Sequence, residues 1–136
     1  MLDLAYIHLQ LSQSYWSEGI PRSVVEKAIL GSLCFGIYAG SLQVGFARLV
    51  TDEATFAYLA DVFIDEAHRG QGLGKKLVQY IMDLEFMPQL RRISLATRDA
   101  HGLYAQFGFS PPTNCDRWME IARPDMYLKS PNSSVQ

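Results

Sequence analysis

Residues 69–76 read RGQGLGKK and place three glycines within five positions, where the segment KKLVQYIMDLEF begins and reads as a helix. Glycine costs about 1 kcal/mol relative to alanine inside a helix, so glycines at a helix start need another reason. The first N–H groups of a helix have no acceptor within it, and a glycine, which lacks a Cβ, lets an anion approach them. Arg69, Lys75 and Lys76 add positive charge. The stretch therefore predicts an anion site at a helix N-terminus.

Two common nucleotide-binding motifs do not fit this turn. The GxxxxGK[ST] loop requires Ser or Thr after its lysine, and Lys76 follows Lys75 here. The GxGxxG dinucleotide fingerprint does not fit GQGLGK, and the strand before the turn is not the first strand of the chain. Taken alone, the glycines leave a plain structural turn open as an alternative.

The rest of the chain alternates between helix and strand patterns. Apolar residues spaced by three or four positions favour a helix at 4–16, and the apolar run at 54–64 is typical of a strand covered on both faces. The other predicted elements are a helix at 23–31, two strands around a turn at 39–41, a strand at 91–97, a short helix at 101–107 and a final strand within 116–127. This order predicts a single α/β domain around one mixed sheet over residues 1–128, with a flexible tail at 129–136.

Two motifs in this order resemble those of the GNAT superfamily of N-acetyltransferases. Residues 69–74, RGQGLG, match the R/Q-x-x-G-x-G/A motif that opens the central helix of that family. Residues 104–109, YAQFGF, match a second motif, a tyrosine four residues before Gly-Phe on a short helix. The spacing between the motifs and the elements between them also fit, and the resemblance covers residues 4–122.

The resemblance implies a GNAT-like fold that binds acetyl-CoA as a co-substrate, with its pyrophosphate on the amides of the glycine turn. The implied cofactor-binding residues are Val62, Phe63, Ile64, Arg69, Gly70, Gln71, Gly72, Leu73, Gly74, Lys75 and Thr97. Thr97 stands where the family often carries an asparagine, and Asp99 or His101 could take the same part. Family members usually have a strand before the first helix; here only residues 1–3 precede it, so either that strand is absent or the chain starts late.

The resemblance assigns Tyr104 as the catalytic acid that protonates the departing thiolate. A phenol has a pKa of ~10 and carries its proton at neutral pH, although a tyrosine that only packs in the core is the alternative. Asp61 is the candidate catalytic base, because burial in an apolar run makes a carboxylate a better proton acceptor. An aspartate bonded to neighbouring backbone or to a second subunit is an equal alternative. Glu53 and His101 are other candidate bases.

The acceptor pocket is expected across the sheet from the cofactor. The segment SYWSEGIP at residues 14–21 lies in the loop between the first two helices, which often covers the acceptor in the GNAT superfamily. Its aromatic residues could enclose a small amine or could plug the edge of the core. The candidate substrate-binding residues are Tyr15, Trp16, Arg48, Tyr58 and Trp118.

The composition argues against several classes of partner. The formal net charge of −2 does not favour a broad nucleic-acid surface. No apolar run approaches the ~18 residues of a membrane span, and the N-terminus lacks the basic segment of a signal peptide. Cys34 and Cys115 show no metal-ligand spacing, so no metal is expected. A cytoplasmic setting follows by default.

Together these observations predict an acetyl-CoA-dependent N-acetyltransferase that acts on a primary amine of a small molecule or a protein. A non-catalytic acyl-CoA-binding regulatory domain on the same fold is the main alternative. A phosphate- or nucleotide-binding domain is a third reading, and the tyrosine helix argues against it. A homodimer is expected, because the composition is apolar for a small domain and because the family often dimerises.

Overall fold

A computed structural model describes residues 1–128, and the predicted flexible tail at 129–136 lies outside the described residues. The structure confirms the predicted mixed α/β fold. Its elements are α1 (Leu4–Ser12), α2 (Arg22–Leu30), β1 (Leu33–Ala39), β2 (Leu42–Thr51), β3 (Phe56–Ile64), α3 (Leu73–Met82), β4 (Arg92–Ser94) and α4 (His101–Ala105).

The four strands form one sheet in the order β1-β2-β3-β4. The strands β1, β2 and β3 are antiparallel neighbours, and Gly40, with a φ of 63°, makes the turn between β1 and β2. The strand β4 runs parallel to β3 and pairs with it only from Phe56↔Arg92 to Tyr58↔Ser94. Beyond Tyr58 the two strands therefore no longer pair, and β3 continues for six residues past that point to Ile64. A cleft between β3 and the segment that follows β4 results.

Helices cover both faces of the sheet, because successive residues of a strand point to opposite faces. In β2, Phe46 and Ala47 belong to different hydrophobic cores. The first core joins the sheet to α1 and α2 and includes Ile7, Leu11, Ile20, Val25, Phe46 and Phe63. The second core joins the sheet to α3 and α4 and includes Ala47, Leu49, Ala57, Leu59, Leu77, Val78, Ile81, Met87 and Tyr104.

The first helix is shorter than predicted, since α1 ends at Ser12 rather than at residue 16. The hydroxyl groups of Ser14 and Ser17 both donate to the carbonyl of Leu11, at 2.7 and 2.9 Å. Serine side chains that bind nearby backbone groups compete with the helical hydrogen bonds, which explains the early end. Residues 13–21 therefore form a longer loop than the sequence pattern indicates.

The predicted final strand within 116–127 is wrong. Residues 118–123 have no regular secondary structure, and they lie between short 3-10 turns at Cys115–Arg117 and Met126–Leu128. Met119 and Ile121 are 94% and 83% exposed, so no apolar burial supports a strand here. Pro124 also lacks the N–H that a strand ladder needs. The strand predicted at 91–97 is likewise reduced to Arg92–Ser94.

The residues before α1 do not add a strand to the sheet. Residues 1–3 form no strand, and the side chain of Asp3 caps α1 by accepting the N–H of Tyr6 at 3.1 Å. Within residues 1–128, no helix combines the length and the apolar character needed to cross a membrane.

Candidate active site

A β-bulge in β3 shapes the centre of the candidate site. Phe46 pairs with Phe63 and Arg48 pairs with Ala60, so β3 holds one more residue than β2 between these two pairs. Asp61 lies in this interval and adopts a left-handed backbone conformation with a φ of 56°. Aspartate tolerates this region better than most residues other than glycine. A bulge bends the strand and redirects its side chains, and here it does so beside the cleft between β3 and the segment after β4.

The residues predicted to hold the pantetheine arm follow the bulge. Val62, Phe63 and Ile64 lie beyond Tyr58, the last residue of β3 that pairs with β4. Phe63 and Ile64 pair with β2 on their other side. The backbone edge of β3 that faces β4 therefore has no ladder partner there, and its polar groups can bind an extended ligand.

The glycine turn after β3 leaves the N-terminus of α3 open. Gly70 and Gly72 both lie in the left-handed region, with φ values of 80° and 76°, and Gly72 is the N-cap residue of α3. The first α3 bond runs from the N–H of Lys76 to the carbonyl of Gly72, so the N–H groups before it are free of intrahelical acceptors. A Cβ added at Gly70 or Gly72 would meet no atom within 4 Å. The turn thus offers the open cradle that a phosphate group needs.

Neighbouring residues fix the position of this cradle. The Arg69 side chain donates from Nε to the carbonyl of Ile64 at 3.0 Å, which ties the turn to the end of β3. A Cβ at Gly74 would contact side-chain atoms of Ile64 and Leu103 at 3.9 Å, so α3 starts close to both β3 and α4. Gln71 and Lys75 are exposed to solvent, and Leu73 is partly exposed.

Tyr104 lies on α4 and is 8% exposed. Its ring packs edge-on against Phe109 at a centroid distance of 5.9 Å, so the first and last residues of the motif at 104–109 contact each other. Burial raises the pKa of Tyr104, and the charge of the Tyr15 phenol raises it further. The phenol therefore keeps its proton well above neutral pH, as a general acid must.

A cavity of about 790 Å³ brings eight of the predicted site residues together. Its walls come from α1, α2 and the loop between them, from β2 and β3, from the segment after β4 and from Tyr104 of α4. The predicted residues that line it are Tyr15, Trp16, Arg48, Tyr58, Asp61, Val62, Thr97 and Tyr104. Trp118 does not line it; the ring of Trp118 instead lies under the guanidinium of Arg92, 4.5 Å from ring centroid to Cζ.

Asp61 is held by two side chains rather than by an apolar surrounding. Its Oδ2 accepts Nε of Arg48 at 2.9 Å, and its Oδ1 accepts Nε1 of Trp16 at 2.8 Å. The Arg48 guanidinium also donates to Ser32 Oγ at 3.0 Å. Asp61 thus faces a compensating charge inside the cavity, which differs from the uncompensated carboxylate that the apolar sequence run suggests.

The other candidate bases lie elsewhere. Glu53 is exposed in the loop before β3, and His101 is the exposed first residue of α4; neither lines the 790 Å³ cavity. The Thr97 hydroxyl accepts a hydrogen bond from the N–H of Ala100, the N-cap residue of α4, at 3.0 Å. Thr97 therefore stabilises the turn that precedes α4. Asp99, two residues after Thr97, also lines the cavity.

The structure adds residues that the sequence patterns do not single out as part of the acceptor pocket. The backbone N–H of Arg98 donates to the phenol oxygen of Tyr15 at 3.1 Å, and its guanidinium carbon lies 3.8 Å from the centre of the same ring. Tyr127 also lines the cavity, because residues 126–128 return to the loop after α1. A Cβ at Gly19 would lie 2.7 Å from the Tyr127 carbonyl oxygen, which shows how closely the two segments pack.

Comparison with known proteins agrees with this geometry. Residues 31–111 match the family model described as "Acetyltransferase (GNAT) domain". The chain belongs to the GNAT family of acetyltransferases. The matched range contains the whole sheet, the glycine turn and Tyr104. Members of this family use acetyl-CoA, so the open turn before α3 fits the group that the family binds.

Individual relatives support the same assignment. The chain is 31% identical over 127 residues to a Gibberella zeae protein named "Putative acetyltransferase FG08082", covering 78% of this chain and 72% of that protein. It is 48% identical, with a TM-score of 0.92, to a Xanthomonas campestris crystal structure described as a putative acetyltransferase of the GNAT family, covering 94% of this chain and 91% of that one. Glucosamine-6-phosphate N-acetyltransferase from Arabidopsis thaliana shares the fold alone, at 15% identity and a TM-score of 0.64 over 90% of this chain and 93% of that one.

Proposed function

We propose that this GNAT acetyltransferase moves an acetyl group from acetyl-CoA to a primary amine by direct attack, with Tyr104 as the general acid. The observation that carries the proposal is that the buried Tyr104 and the bulge residue Asp61 line the same cavity. The free edge of β3 and the open turn before α3 extend from the same strand. A thioester and an amine could thus meet beside a protonated phenol.

Acetyl-CoA supplies the acetyl group as a thioester, which the neutral amine nitrogen attacks directly. The amides of residues 70–75 would bind its pyrophosphate, since a helix N-terminus and nearby backbone N–H groups favour negative charge. The free edge of Val62, Phe63 and Ile64 would align the pantetheine arm with backbone hydrogen bonds. Backbone N–H groups near the bulge would polarise the thioester carbonyl.

Proton transfers complete the reaction. As the C–N bond forms and the C–S bond breaks, Tyr104 gives its proton to the leaving sulfur. The amine loses a proton to Asp61 directly or through a water molecule, and the ion pair with Arg48 holds this carboxylate in position. The phenol regains its proton from solvent. No covalent enzyme intermediate is required.

A thiol-release assay with acetyl-CoA and a panel of primary amines tests this proposal. We expect release of free CoA in step with an N-acetylated product detected by mass spectrometry. Gln79→Ala on the exposed side of α3 serves as a control variant, because Gln79 lies outside the cavity. Binding of acetyl-CoA without turnover of any amine would contradict the proposal and favour a domain that only binds acyl-CoA.

A further inference from the structure

Two side chains attach the loop after α1 to the opposite wall of the candidate acceptor cavity. The loop at residues 13–21 is tied to β3 by the hydrogen bond from Trp16 to Asp61 and to the segment after β4 by the hydrogen bond between Tyr15 and Arg98. The rings of Tyr15 and Trp16 pack edge-on at 5.1 Å between these two attachments. These attachments hold the two rings against the cavity, which favours a small molecule over the bulkier backbone that flanks a protein lysine.

The charges of the cavity occur as two opposite pairs. Arg48 lies 2.9 Å from Asp61, and Arg98 lies 3.9 Å from Asp99. These four residues are the Asp, Glu, Lys and Arg side chains of the described chain that line the cavity, and their formal charges sum to zero. Arg98 and Asp99 are 65% and 69% exposed, so their pair lies at the solvent-facing rim, whereas Arg48 and Asp61 are 19% and 12% exposed. Because these two inner charges already pair with each other, the inner cavity offers no uncompensated cation to a carboxylate or phosphate and no group of free carboxylates to a polyamine. Burying a charge without a partner is costly.

The remaining walls are apolar and rich in aromatic rings. Six aromatic residues line the cavity: Tyr15, Trp16, Phe46, Tyr58, Tyr104 and Tyr127. Aliphatic side chains of α1, α2 and their loop complete it, among them Leu11, Ile20, Val24, Val25 and Ile29. The volume of about 790 Å³ lies in the range of small-molecule sites and must also admit the acetyl end of the donor. The body of the acceptor is therefore small, uncharged and apolar.

We propose that the acceptor is a small primary monoamine with an uncharged aromatic or similarly flat apolar body. This inference rests on the acetyl transfer proposed above and narrows its substrate class. The amine nitrogen points toward Asp61, and the body packs among the rings of Tyr15, Trp16 and Tyr58. The proposal excludes protein lysines, amino acids and polyamines as preferred acceptors.

Matched ligands test this substrate class. The probes are 2-phenylethylamine, phenylalanine, which adds a carboxylate to the same frame, spermidine, and a short peptide with one lysine. We expect 2-phenylethylamine to have a kcat/KM at least ~10-fold above each of the others, because the others bring an unpaired charge or a backbone into the cavity. A kcat/KM for any of the other three that equals or exceeds it would overturn the proposal while acetyl transfer itself stands.

Binding separates this inference from the proposed function. Calorimetry in the presence of CoA should rank 2-phenylethylamine at least ~10-fold tighter than the other three probes, even if no transfer is seen. Tyr58→Ala should raise the KM for 2-phenylethylamine about 5-fold and leave the KM for acetyl-CoA unchanged, since an aromatic pair contributes about 1 kcal/mol. Tyr80→Ala, which removes a 64% exposed ring outside the cavity, should change neither. Equal binding of all four probes would refute the substrate class.

Discussion

Replacing Gly72 with alanine tests the anion site at the start of α3. Gly72 has a φ of 76°, where a Cβ costs about 1 to 2 kcal/mol of folding free energy. No atom lies within 4 Å of the added Cβ, so the folded chain can hold it without a clash. The methyl group would, however, stand in the space through which a phosphate approaches the amides. We expect a modest loss of stability and a larger loss of acetyl-CoA affinity.

The chain offers a matched control in Gly40→Ala. Gly40 has a φ of 63° in the turn between β1 and β2, and its added Cβ also meets no atom within 4 Å. Both variants should therefore lower Tm by about 4 to 8 °C for the same backbone reason. Only Gly72→Ala should weaken acetyl-CoA binding, by about 10-fold or more, which corresponds to the loss of about one charge-assisted hydrogen bond.

Thermal unfolding followed by circular dichroism gives the stability of both variants, and calorimetry well below both Tm values gives their affinities. The affinity of Gly40→Ala should remain within about 2-fold of the parent, because its turn lies away from α3 and the cavity. An unchanged affinity in Gly72→Ala, or an equal loss in both variants, would show that the amides of this turn do not hold the pyrophosphate.

Three further predictions follow from the cavity and the composition. Arg48→Ala should lower the free energy of unfolding by about 3 kcal/mol in urea titrations, because it leaves the nearly buried Asp61 carboxylate without its cation; a loss below about 0.5 kcal/mol would contradict this. Because burial raises the pKa of Tyr104, its contribution to stability is intact below the unfolded pKa of ~10 and is lost as pH rises toward the folded value. Tyr104→Phe should thus lose less stability than the parent as pH rises above about 10, as measured by Tm against pH, and identical losses would contradict a raised pKa of the Tyr104 phenol. The chain should sediment as a homodimer at tens of micromolar (roughly, since weak dimers dissociate on dilution), and a purely monomeric species would refute that.

The sequence predicts the mixed α/β fold and part of the cavity lining, but neither Arg98 nor Tyr127 as members of that lining. The glycines at 70, 72 and 74 indicate the start of α3 because few other residues suit a left-handed N-cap. The tyrosine motif at 104–109 placed Tyr104 on a short helix, where the structure has it. Local motifs with strong backbone requirements were therefore readable without coordinates.

Features that depend on contacts between distant residues could not be read in this way. The bulge at Asp61 has no glycine to mark it, so the alternation of YLADVF gave no sign of a left-handed residue. The ion pair of Asp61 with Arg48 depends on the register between β2 and β3, which the bulge itself shifts by one residue. Tyr127 lines the cavity although the sequence pattern predicts a strand within 116–127. A strand forms only beside a neighbouring strand to pair with, and the sequence pattern does not show whether one is present.

The kcat of Tyr104→Phe across pH tests the central claim most directly. This variant keeps the ring and its contact with Phe109, so acetyl-CoA affinity should persist. We expect kcat to fall on the order of 10²-fold at every pH, because a lost proton donor is not restored by raising pH. Asp61→Asn, measured on the same amine, should instead recover part of its rate at high pH, where more of the amine is neutral. A Tyr104→Phe enzyme with the parent kcat at every pH would show that the phenol takes no part in acetyl transfer.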